Sequence, residues 1–457
     1  MTEAPAAQPP AAAAPKPVVR RSFMRQVMYD TFGLATARFG LVWIGLLVLA
    51  GVLAPLIASS HPIVMSVNGQ WSSPLWRHLT GVDLILLAAL LTFVVTLLAR
   101  KLNYVDAFLA MLAVTVLVAP AASFKTAPDS VNYQQYRDLQ RKAATDPNFK
   151  VWMLRTIVPY SPTDRLRDLP HHRLTAPFAA MGTLTRVDGK TDAGAIGVGK
   201  DGAYVVNEAG SERTIKAADV KGVSYESFRV RHWLGTETDG ADLFSRMLHA
   251  SRIALSVGII STGIALTIGI FVGGLMGYYV GWFDLVGMRL VEIFEATPRL
   301  LLLISIMAAY AEWKSIYLMM AVIGAMGWTG TARFVRGEFL KLRNQDFVLA
   351  GIATGLRMSR VIYRHILPNA LTPVLVTATF GVAGAIETEA VLSFLGLGVP
   401  DTASWGQMLN QARSGGQGFV WWLALFPGGA IFLTVFAYAL IGDAMRDALD
   451  PKLRKRE

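Results

Sequence analysis

The chain has 457 residues, of which 53% are hydrophobic and only 16% are charged, whereas about a quarter are charged in ordinary soluble domains. It contains no cysteine, which excludes disulfides and thiolate metal sites. The formal net charge of +11 does not indicate nucleic-acid binding here, because basic residues concentrate on the cytoplasmic side of membrane proteins. The composition predicts an all-α polytopic membrane protein.

The first 38 residues predict a disordered cytoplasmic N-terminus followed by a basic elbow. Residues 1–19 are rich in Ala and Pro and low in complexity, a composition that does not build a packed core. Four arginines precede the first apolar run, namely Arg20, Arg21, Arg25 and Arg38. Because Arg and Lys mark the cytoplasmic side, the N-terminus is predicted to lie there.

Eight apolar runs are long enough to be considered as membrane crossings, since about 20 helical residues span a hydrocarbon core. They lie at 39–59, 81–99, 104–122, 251–280, 283–309, 316–332, 369–397 and 419–442. Residues 39–123 thus form a unit of three transmembrane helices, and residues 251–442 form a core of five. An even number of crossings returns the C-terminus to the cytoplasm, and the basic tail at 443–457 agrees with that.

The polar stretch at 124–250 is too long to be a simple connector. Its part at about 180–231 contains Asp188-Gly189 and Asp201-Gly202, pairs that are typical of hairpin turns. This predicts a small β-rich extracytoplasmic insert. His171 and His172 stand together without a nearby acidic residue at ligand spacing, so neither a metal site nor a catalytic site is predicted.

The sequence GAIGVGKD at 194–201 resembles a phosphate-binding loop with one residue wrong. Such a loop requires Ser or Thr after its lysine, to place a hydroxyl on Mg²⁺, and it must lead into a helix. Here the lysine is followed by Asp201, whose carboxylate would repel a triphosphate, and the next residues favour a strand. We therefore interpret this stretch as a pair of β-turns.

The segment at about 341–368 carries the strongest functional signal. Between residues 333 and 365, seven Arg and Lys residues stand against two acids, which predicts a cytoplasmic loop. Small residues lead to Gly355, which suits the left-handed position that ends a helix. The sequence HILP follows at 365–368, and its proline can begin a new helix without losing a backbone donor. A short helix, a turn and a second helix are predicted.

The spacing Gly-x9-[Ile/His]-x-Leu-Pro in this segment resembles the coupling loop, named for its Glu-Ala-Ala sequence, of permeases of ABC importers. Three further blocks, HWLGTETDGADLFSRMLHASRIALSVG, GAIETEAVLSFLGLGVPDTASWGQML and GDAMRDALDP, are similar to the C-type subunit of dipeptide and oligopeptide permeases. The resemblance covers about 230–451 and the first crossing. The stretch HPIVMSVNGQWSSPLW is similar to the Yej-type branch.

The resemblance implies the type I ABC importer permease fold, with about eight transmembrane helices and the β-rich insert. It also implies a bacterial inner-membrane subunit that forms half of a pathway for di- and oligopeptides. The implied partners are a second permease subunit, two ATPase subunits, an extracytoplasmic substrate-binding protein, the peptide and membrane lipid. ATP and Mg²⁺ would bind in the ATPase subunits, so this chain is expected to be no enzyme and to hold no cofactor.

The resemblance also implies which residues would contact the ATPases. Small side chains on a short exposed helix can seat in a groove of a partner. The expected coupling residues are Leu349, Ala350, Gly351, Ala353, Gly355, Arg360, Arg364, His365, Leu367 and Pro368.

The chain departs from the family pattern in three places. Leu349-Ala350-Gly351 stands where the loop usually has Glu-Ala-Ala, and Gly240-Ala241-Asp242 stands where Gly-Arg-Asp is usual. The crossings at 81–122 and the insert are additions to a plan of six crossings.

Two further groups of residues are candidates for helix contacts or for the pathway. Gly269, Gly273, Gly277 and Gly281 recur every four residues, a spacing that lets membrane helices approach closely. Charges inside crossings are costly and therefore often functional. The candidates of this kind are Glu292, which can pair with Arg289, together with Glu295, Glu387 and Glu389.

Two alternatives stay open at this point. A secondary transporter would work without ATPases and would show two related halves. A membrane protein whose extracytoplasmic insert carries the binding function would need a recognisable site within 124–250.

Overall fold

The computed structural model describes residues 29–98, 104–123, 132–199, 201–226, 231–313, 315–414 and 418–449. Helices dominate these residues, as the composition predicts. They are α1 (Ala35–Ile57), α2 (Pro74–His78), α3 (Gly81–Leu98), α4 (Tyr104–Ser123), α5 (Gln134–Thr145), α6 (Leu243–Tyr279), α7 (Trp282–Ala296), α8 (Arg299–Ala309), α9 (Ile316–Met326), α10 (Trp328–Leu342), α11 (Asp346–Ala353), α12 (Met358–Val361), α13 (Leu367–Phe394), α14 (Trp405–Ser414) and α15 (Trp421–Leu449). Of the N-terminal segment predicted at 1–38, residues 1–28 lie outside the described residues, as do residues 450–457 of the predicted tail.

Within the described residues, four helices are long and apolar enough to cross a membrane, namely α1, α6, the stretch Met358–Phe394 and α15. The pair α9 and α10, bent by 41°, makes a fifth if it forms one span. Shorter apolar helices occupy Gly81–Thr96, Leu109–Pro120 and Arg299–Ala309. The chain is therefore a multi-pass membrane protein, while the number of eight crossings stays a prediction.

Two of the predicted runs are interrupted. The run 283–309 is not one helix, because α7 ends at Ala296 and α8 begins at Arg299. Thr297 precedes Pro298 and is extended, with φ −85° and ψ 128°, as steric contact with a following proline favours. The run 316–332 is likewise divided at Gly327, where α9 ends and α10 begins.

Helix α6 lies at the centre of the bundle. Its side chain Val257 packs in a buried cluster with Leu303 of α8, Met319 and Ile323 of α9, and Leu392 of α13. A second cluster joins α6 to α14 and α15 through Leu255, Met408 and Leu423. The helices that the family resemblance covers thus enclose α6 on several sides.

The two additional helices, α3 and α4, form a hairpin that is attached to this core by charge. Asp83 at the start of α3 accepts a hydrogen bond of 2.5 Å from Arg252 of α6. The same guanidinium donates to the carbonyl oxygen of Gly51 in α1, at 2.9 Å. At Gly81 a Cβ would lie 2.3 Å from the carbonyl oxygen of Ala122, so the ends of the hairpin approach very closely.

Two antiparallel sheets stand at one end of the bundle. The strands are β1 (Val64–Val67), β2 (Gln70–Ser72), β3 (Val151–Leu154), β4 (Met181–Arg186), β5 (Thr191–Val198), β6 (Tyr204–Glu208), β7 (Ser211–Ile215) and β8 (Val220–Tyr225). The first sheet has the order β2-β1-β3 and the second β7-β6-β5-β4-β8. The second sheet confirms the β-rich insert, and the first was not predicted.

The five-stranded sheet has a small core of its own, formed by Leu184, Ile196, Val206 and Ile215. Gly189 and Gly202 adopt φ values of +84° and +74°, as hairpin turns of this kind require. The stretch that resembles a phosphate-binding loop begins within β5 and ends in the turn before β6, where the amide of Gly199 donates to the carbonyl of Ala203 at 2.8 Å. It leads into a strand and not a helix, which agrees with the rejection of a phosphate-binding loop, but the predicted pair of β-turns is wrong because residues 194–198 are strand. Lys200 itself lies outside the described residues.

The loops that the topology predicts on the outer side meet at this end of the bundle. Ser60, which follows α1, donates to Asp164 at 2.7 Å. Arg165 contacts Asp401, beyond α13, at 2.5 Å. Gln411 of α14 donates to Glu237, which precedes α6, at 2.8 Å. These contacts bring together the connections that the predicted order of crossings places on the outer side.

Candidate functional site

The predicted coupling segment folds as a short helix, a turn and a second helix. Gly355 ends α11 with φ +75°. The amide of Gly355 donates to the carbonyl of Ile352 at 2.9 Å, and the amide of Leu356 donates to Gly351 at 3.1 Å. These bonds satisfy carbonyls that a helix end leaves free. The left-handed position predicted for Gly355 is confirmed.

The sequence predicted that the second helix begins at Pro368, and this prediction is wrong. It begins at Met358 as α12 and continues through a π-helical turn at Ile362–Ile366 into α13. The amide of Leu367 donates to the carbonyl of Ile362, five residues earlier. Pro368 has no amide hydrogen to donate, and a local change of helical hydrogen bonding accommodates this without ending the helix.

One face of this segment is firmly held by the bundle. Val348 of α11, Val361 of α12 and Ile366 are fully buried against Val335 and Phe339 of α10. Fully burying an aliphatic side chain contributes about 1.5–3 kcal/mol. Because α11 and α12 share this cluster with α10, a displacement of the segment is transmitted to α10.

The same segment also exposes large apolar residues around its buried side. We call them the coupling crest, and they are Phe347, Leu349, Ile352, Met358 and Tyr363, which are between 42% and 68% exposed. The exposed Arg360 and Arg364 lie in the same segment. Exposed apolar patches with a polar rim mark docking surfaces. The crest is the feature of this segment that is best suited to bind a partner.

The structure divides the predicted coupling residues into two groups. Gly351 is buried and faces inward, where a Cβ would lie 3.4 Å from Leu356 Cδ1, and His365 and Leu367 are half-buried. The coupling role of these three residues stays a prediction. The exposed group consists of Leu349, Ala350, Ala353, Gly355, Arg360, Arg364 and Pro368.

Sequence reasoning missed four members of the crest, namely Phe347, Ile352, Met358 and Tyr363. A signal was present, because large apolar residues in a loop marked cytoplasmic by its arginines need a reason to face water. The Ala-rich family pattern of this loop favours small residues and therefore does not indicate these four.

The glycine stripe of α6 packs against α10. A Cβ at Gly273 would lie 2.3 Å from the carbonyl oxygen of Ala332, and one at Gly277 would lie 2.6 Å from that of Arg336. Gly269 meets Thr331 and Trp328 in the same way. Gly281 is not part of the stripe, because α6 ends at Tyr279 and Gly281 adopts φ +61° in the turn before α7.

The predicted charges near α7 form ion pairs. Arg289 and Glu292 pair on the exposed surface of α7 at 2.5 Å, as their spacing predicts. Glu295 pairs with Arg333 of α10, and Asp284 pairs with Arg336 of the same helix. Glu295 is therefore an interhelical charge, and α7 is held to α10 at both of its ends.

Glu387 and Glu389 lie on different faces of α13. Glu387 is exposed, whereas Glu389 is buried, and its Oε1 accepts hydrogen bonds of 2.7 Å from Ser393 and from Ser404. Ser404 precedes α14, so Glu389 ties α13 to the connection that leads into α14. Of the two roles left open by the sequence, the structure gives Glu389 the helix contact.

A small polar cavity of about 150 Å³ lies between α6, α9, α10 and α13. Its lining includes the hydroxyls of Thr262, Thr331 and Thr377 and the side chain of Arg299, which begins α8. Arg299 was not among the sequence candidates, although it follows Pro298 at a break between two apolar helices. Polar residues of this kind within a membrane domain often mark a transport route.

A buried ion pair and a capping carboxylate hold the N-terminal end of α6. Arg246 pairs with Glu237 at 2.6 Å, with both side chains at most 5% exposed. Asp242 caps the helix by accepting from the amide of Ser245 at 2.8 Å. Ala241, which stands where the family pattern has arginine, is completely buried.

The histidines of the outer region have acidic partners, contrary to prediction. His171 and His172 lie next to Glu226, which follows β8, and these three could together hold a metal ion. Glu226 is far away in sequence, and the β4 to β8 sheet brings it to the histidines. No spacing rule along the chain could have revealed this group.

This chain is similar to known membrane permeases. The family model described as "Binding-protein-dependent transport system inner membrane component" matches residues 266–455, which include α10 to α13 and the coupling crest. The oligopeptide transport system permease protein OppC of Bacillus subtilis is 41% identical over 225 residues, covering 49% of this chain and 73% of that protein. The chain belongs to this permease family.

Two further relatives agree with that assignment. The dipeptide transport system permease protein DppC of Bacillus subtilis is 38% identical over 225 residues, covering 49% of this chain and 70% of that protein. The glutathione transport system permease protein GsiD of Pectobacterium atrosepticum is 40% identical over 224 residues, covering 49% of this chain and 73% of that protein. The resemblance to dipeptide and oligopeptide permeases is confirmed, and the permease is an inner-membrane component of a transport system.

Proposed function

We propose that this permease forms half of the pathway through which a bacterial importer moves di- and oligopeptides across the inner membrane, with both termini in the cytoplasm. The observation that carries the proposal is the coupling crest, an exposed apolar surface in a basic loop whose buried side is locked into the bundle. The names of the relatives, which refer to dipeptide, oligopeptide and glutathione transport, supply the class of cargo.

The partners follow from the family. A second permease subunit completes the pathway, two ATPase subunits dock on the crests, and a binding protein delivers the peptide from outside. ATP and Mg²⁺ bind to the ATPase subunits, and this chain performs no hydrolysis. Lipid surrounds the apolar outer faces of the helices.

The packing suggests how a movement of the ATPases reaches the pathway. The crest moves with α10, because Val348 and Phe339 share one buried cluster. Helix α10 in turn moves with α6, because the backbones of the two helices are in close contact at Gly273 and Gly277. No side chain lies between them that could adjust and absorb the movement. Well-packed interfaces of this kind transmit rigid-body motion.

Within the bundle, Arg299 and the threonines around it form the surface that we assign to peptide contact. The guanidinium is always charged and can hold a carboxylate through two parallel hydrogen bonds. A peptide carries such a group at its C-terminus. The cavity of one chain is a wall of the pathway, and the second permease subunit provides the opposite wall.

The test of the proposed function is peptide uptake by the complete transporter in proteoliposomes, with the binding protein outside and ATP inside. We expect accumulation of a labelled dipeptide that stops when ATP is replaced by a non-hydrolysable analogue. Unlabelled dipeptides should compete, and the free amino acids should not. Uptake that is driven by an ion gradient without ATP would instead favour a secondary transporter, the alternative that the comparisons do not favour.

The five-stranded insert is assigned to contact with the binding protein, because it stands beside the outer loops on the predicted external side. It can be removed cleanly, since Gly182 and Tyr225 are paired neighbours in the sheet. Replacing residues 182–225 by a short Gly-Ser linker should weaken binding of the substrate-binding protein at least about tenfold, the effect of losing about 1.4 kcal/mol of interface.

The measurement is binding of the labelled binding protein to the complete transporter in nanodiscs. Basal ATP turnover without the binding protein serves as the control and should not change. Unchanged affinity for the binding protein in the deletion variant would remove this role from the insert, while leaving the importer assignment untouched.

A further inference from the structure

A chain of buried polar side chains runs from the start of α6 to the base of the insert. Asp242 accepts a hydrogen bond of 2.8 Å at Oδ1 from Nδ1 of His232. Nε2 of His232 lies 3.0 Å from Nδ1 of His172. Nε2 of His172 lies 3.4 Å from each carboxylate oxygen of Glu226. His172 and His232 are at most 1% exposed.

The direction of each hydrogen bond in this chain follows from the first. The carboxylate of Asp242 can only accept, so Nδ1 of His232 carries a hydrogen. In a neutral imidazole the other nitrogen then accepts, and Nδ1 of His172 must be its donor. Nε2 of His172 is left with a lone pair, and this lone pair is directed at the carboxylate of Glu226, which has no hydrogen to donate.

Two acceptors that face each other repel unless a cation lies between them. A cation at this point, either a second proton on His172 or a metal ion bound by both groups, removes the repulsion.

The third ligand is already in place. Nε2 of His171 lies 3.8 Å from Oε1 of Glu226. The donor atoms of His171, His172 and Glu226 all lie within 4.8 Å of one another. Ligands bound to a tetrahedral zinc ion at about 2.0–2.2 Å stand roughly 3.3–3.6 Å apart. The distance of 3.4 Å from His172 to Glu226 falls within this range, and the distance of 3.8 Å from His171 to Glu226 would shorten on binding.

We propose that His171, His172 and Glu226 form a binding site for a Zn²⁺-class divalent metal on the extracytoplasmic side of this permease. Two imidazoles and one carboxylate are a common zinc ligand set, and a water molecule completes the tetrahedron. Glu226 is about a third exposed and His171 about a fifth, so the fourth position is open to solvent.

His232 and Asp242 are positioning residues for this site. A ligating histidine usually donates its other ring hydrogen to a further acceptor, which fixes the tautomer and the orientation of the ring. Here His232 accepts from His172, and Asp242 holds His232 in turn. Tyr160, buried and stacked on His232 with ring centroids 4.5 Å apart, supports the arrangement.

The metal would join three parts of the molecule. His171 and His172 belong to a short 3₁₀ turn at Pro170–His172, Glu226 directly follows β8, and Asp242 caps α6. Metal binding would therefore fix the insert sheet relative to the first transmembrane helix of the permease core. The site is independent of the proposed peptide pathway, since none of its residues lines the cavity at Arg299.

The experiment is a zinc titration of the complete transporter in detergent, after removal of metal with a chelator and against a chromogenic competitor. We expect one equivalent of Zn²⁺ per permease chain. The variants His171→Ala and Glu226→Gln should lower the affinity at least about tenfold. The control His78→Gln changes a histidine of α2 that stacks on His61 elsewhere in the outer region, and it should bind zinc as the wild type does.

A positioning role is tested separately with Asp242→Asn, which can still cap α6 but no longer favours the same tautomer of His232. The affinity for Zn²⁺ should fall about 10–100-fold, the usual cost of losing an outer partner of a ligating histidine. X-ray absorption of the zinc-loaded wild type should show two imidazole nitrogens in the first coordination sphere. Thermal unfolding of each metal-free variant establishes that it is folded.

The proposal is overturned if the metal-free wild type takes up no zinc at neutral pH, in which case a proton on His172 supplies the positive charge. It is also overturned if folded His171→Ala and Glu226→Gln variants bind zinc as tightly as the wild type. Neither result would affect the assignment of the chain as an importer subunit, because peptide uptake and ATP turnover are measured independently.

Discussion

Replacing Leu349 by arginine should abolish productive docking of the ATPase subunits while the permease remains folded. Leu349 is about half exposed in the coupling crest, so its substitution removes no buried contact of the permease itself. Docking would bury this position, and the arginine would then lose its water without gaining a partner, which costs about 2 kcal/mol or more. The expected loss of affinity is about thirtyfold, and ATP turnover stimulated by peptide should fall accordingly.

The measurement is retention of the ATPase subunits on the tagged permease, followed by ATP turnover of what is retained. Asn344→Arg is the matched control, because Asn344 is exposed in the same loop but lies outside the crest. Leu349 is a better target than Gly355, where any side chain would strain a backbone with φ +75°. Full retention of the ATPases by folded Leu349→Arg would show that the crest is not the docking surface.

The second large effect is expected for Gly273→Ala, which should destabilise the bundle. The added Cβ would lie 2.3 Å from the carbonyl oxygen of Ala332, which is a backbone atom of α10. No rotation of a side chain can relieve this contact, so α6 and α10 must separate. Overpacking of this kind costs about 1–3 kcal/mol, and it should also weaken the coupling between the crest and α6.

Gly263→Ala in the same helix is the control. Nothing lies within 4 Å of a Cβ at Gly263, and alanine favours helix over glycine by about 1 kcal/mol in water. Thermal unfolding in one detergent should therefore give a lower midpoint for Gly273→Ala and an unchanged or higher midpoint for Gly263→Ala. Equal midpoints for the two variants would contradict the close packing of α6 on α10.

Much of the helical architecture could be predicted from sequence, because apolar runs report directly on burial in lipid. The left-handed turn at Gly355 was predictable too, as was the stripe at Gly269, Gly273 and Gly277. Each of these features depends on a local property of glycine. The break at Thr297 was also within reach, as a proline disfavours helix in the residue before it.

Other features depend on side-chain packing and on local hydrogen bonding, which a single sequence does not display. The inward position of Gly351 follows from packing against Leu356, and the role of Glu389 follows from the hydroxyl of Ser404. The continuous helix through Pro368 depends on a π turn that composition does not reveal. Glu226 lies near His171 and His172 only because β8 pairs with β4, which brings the end of the sheet next to its first strand.

The central claim is that this chain is the membrane half of an ATP-driven importer, and the composition of the native complex tests it most directly. The measurement is purification of the tagged chain from its native membrane in mild detergent, identification of the proteins that accompany it, and assay of ATP turnover. The account predicts a second permease subunit and ATPase subunits, with ATP turnover that the Leu349→Arg variant loses. A chain that purifies without any ATPase in several detergents, and whose membranes take up peptide without ATP, would contradict it.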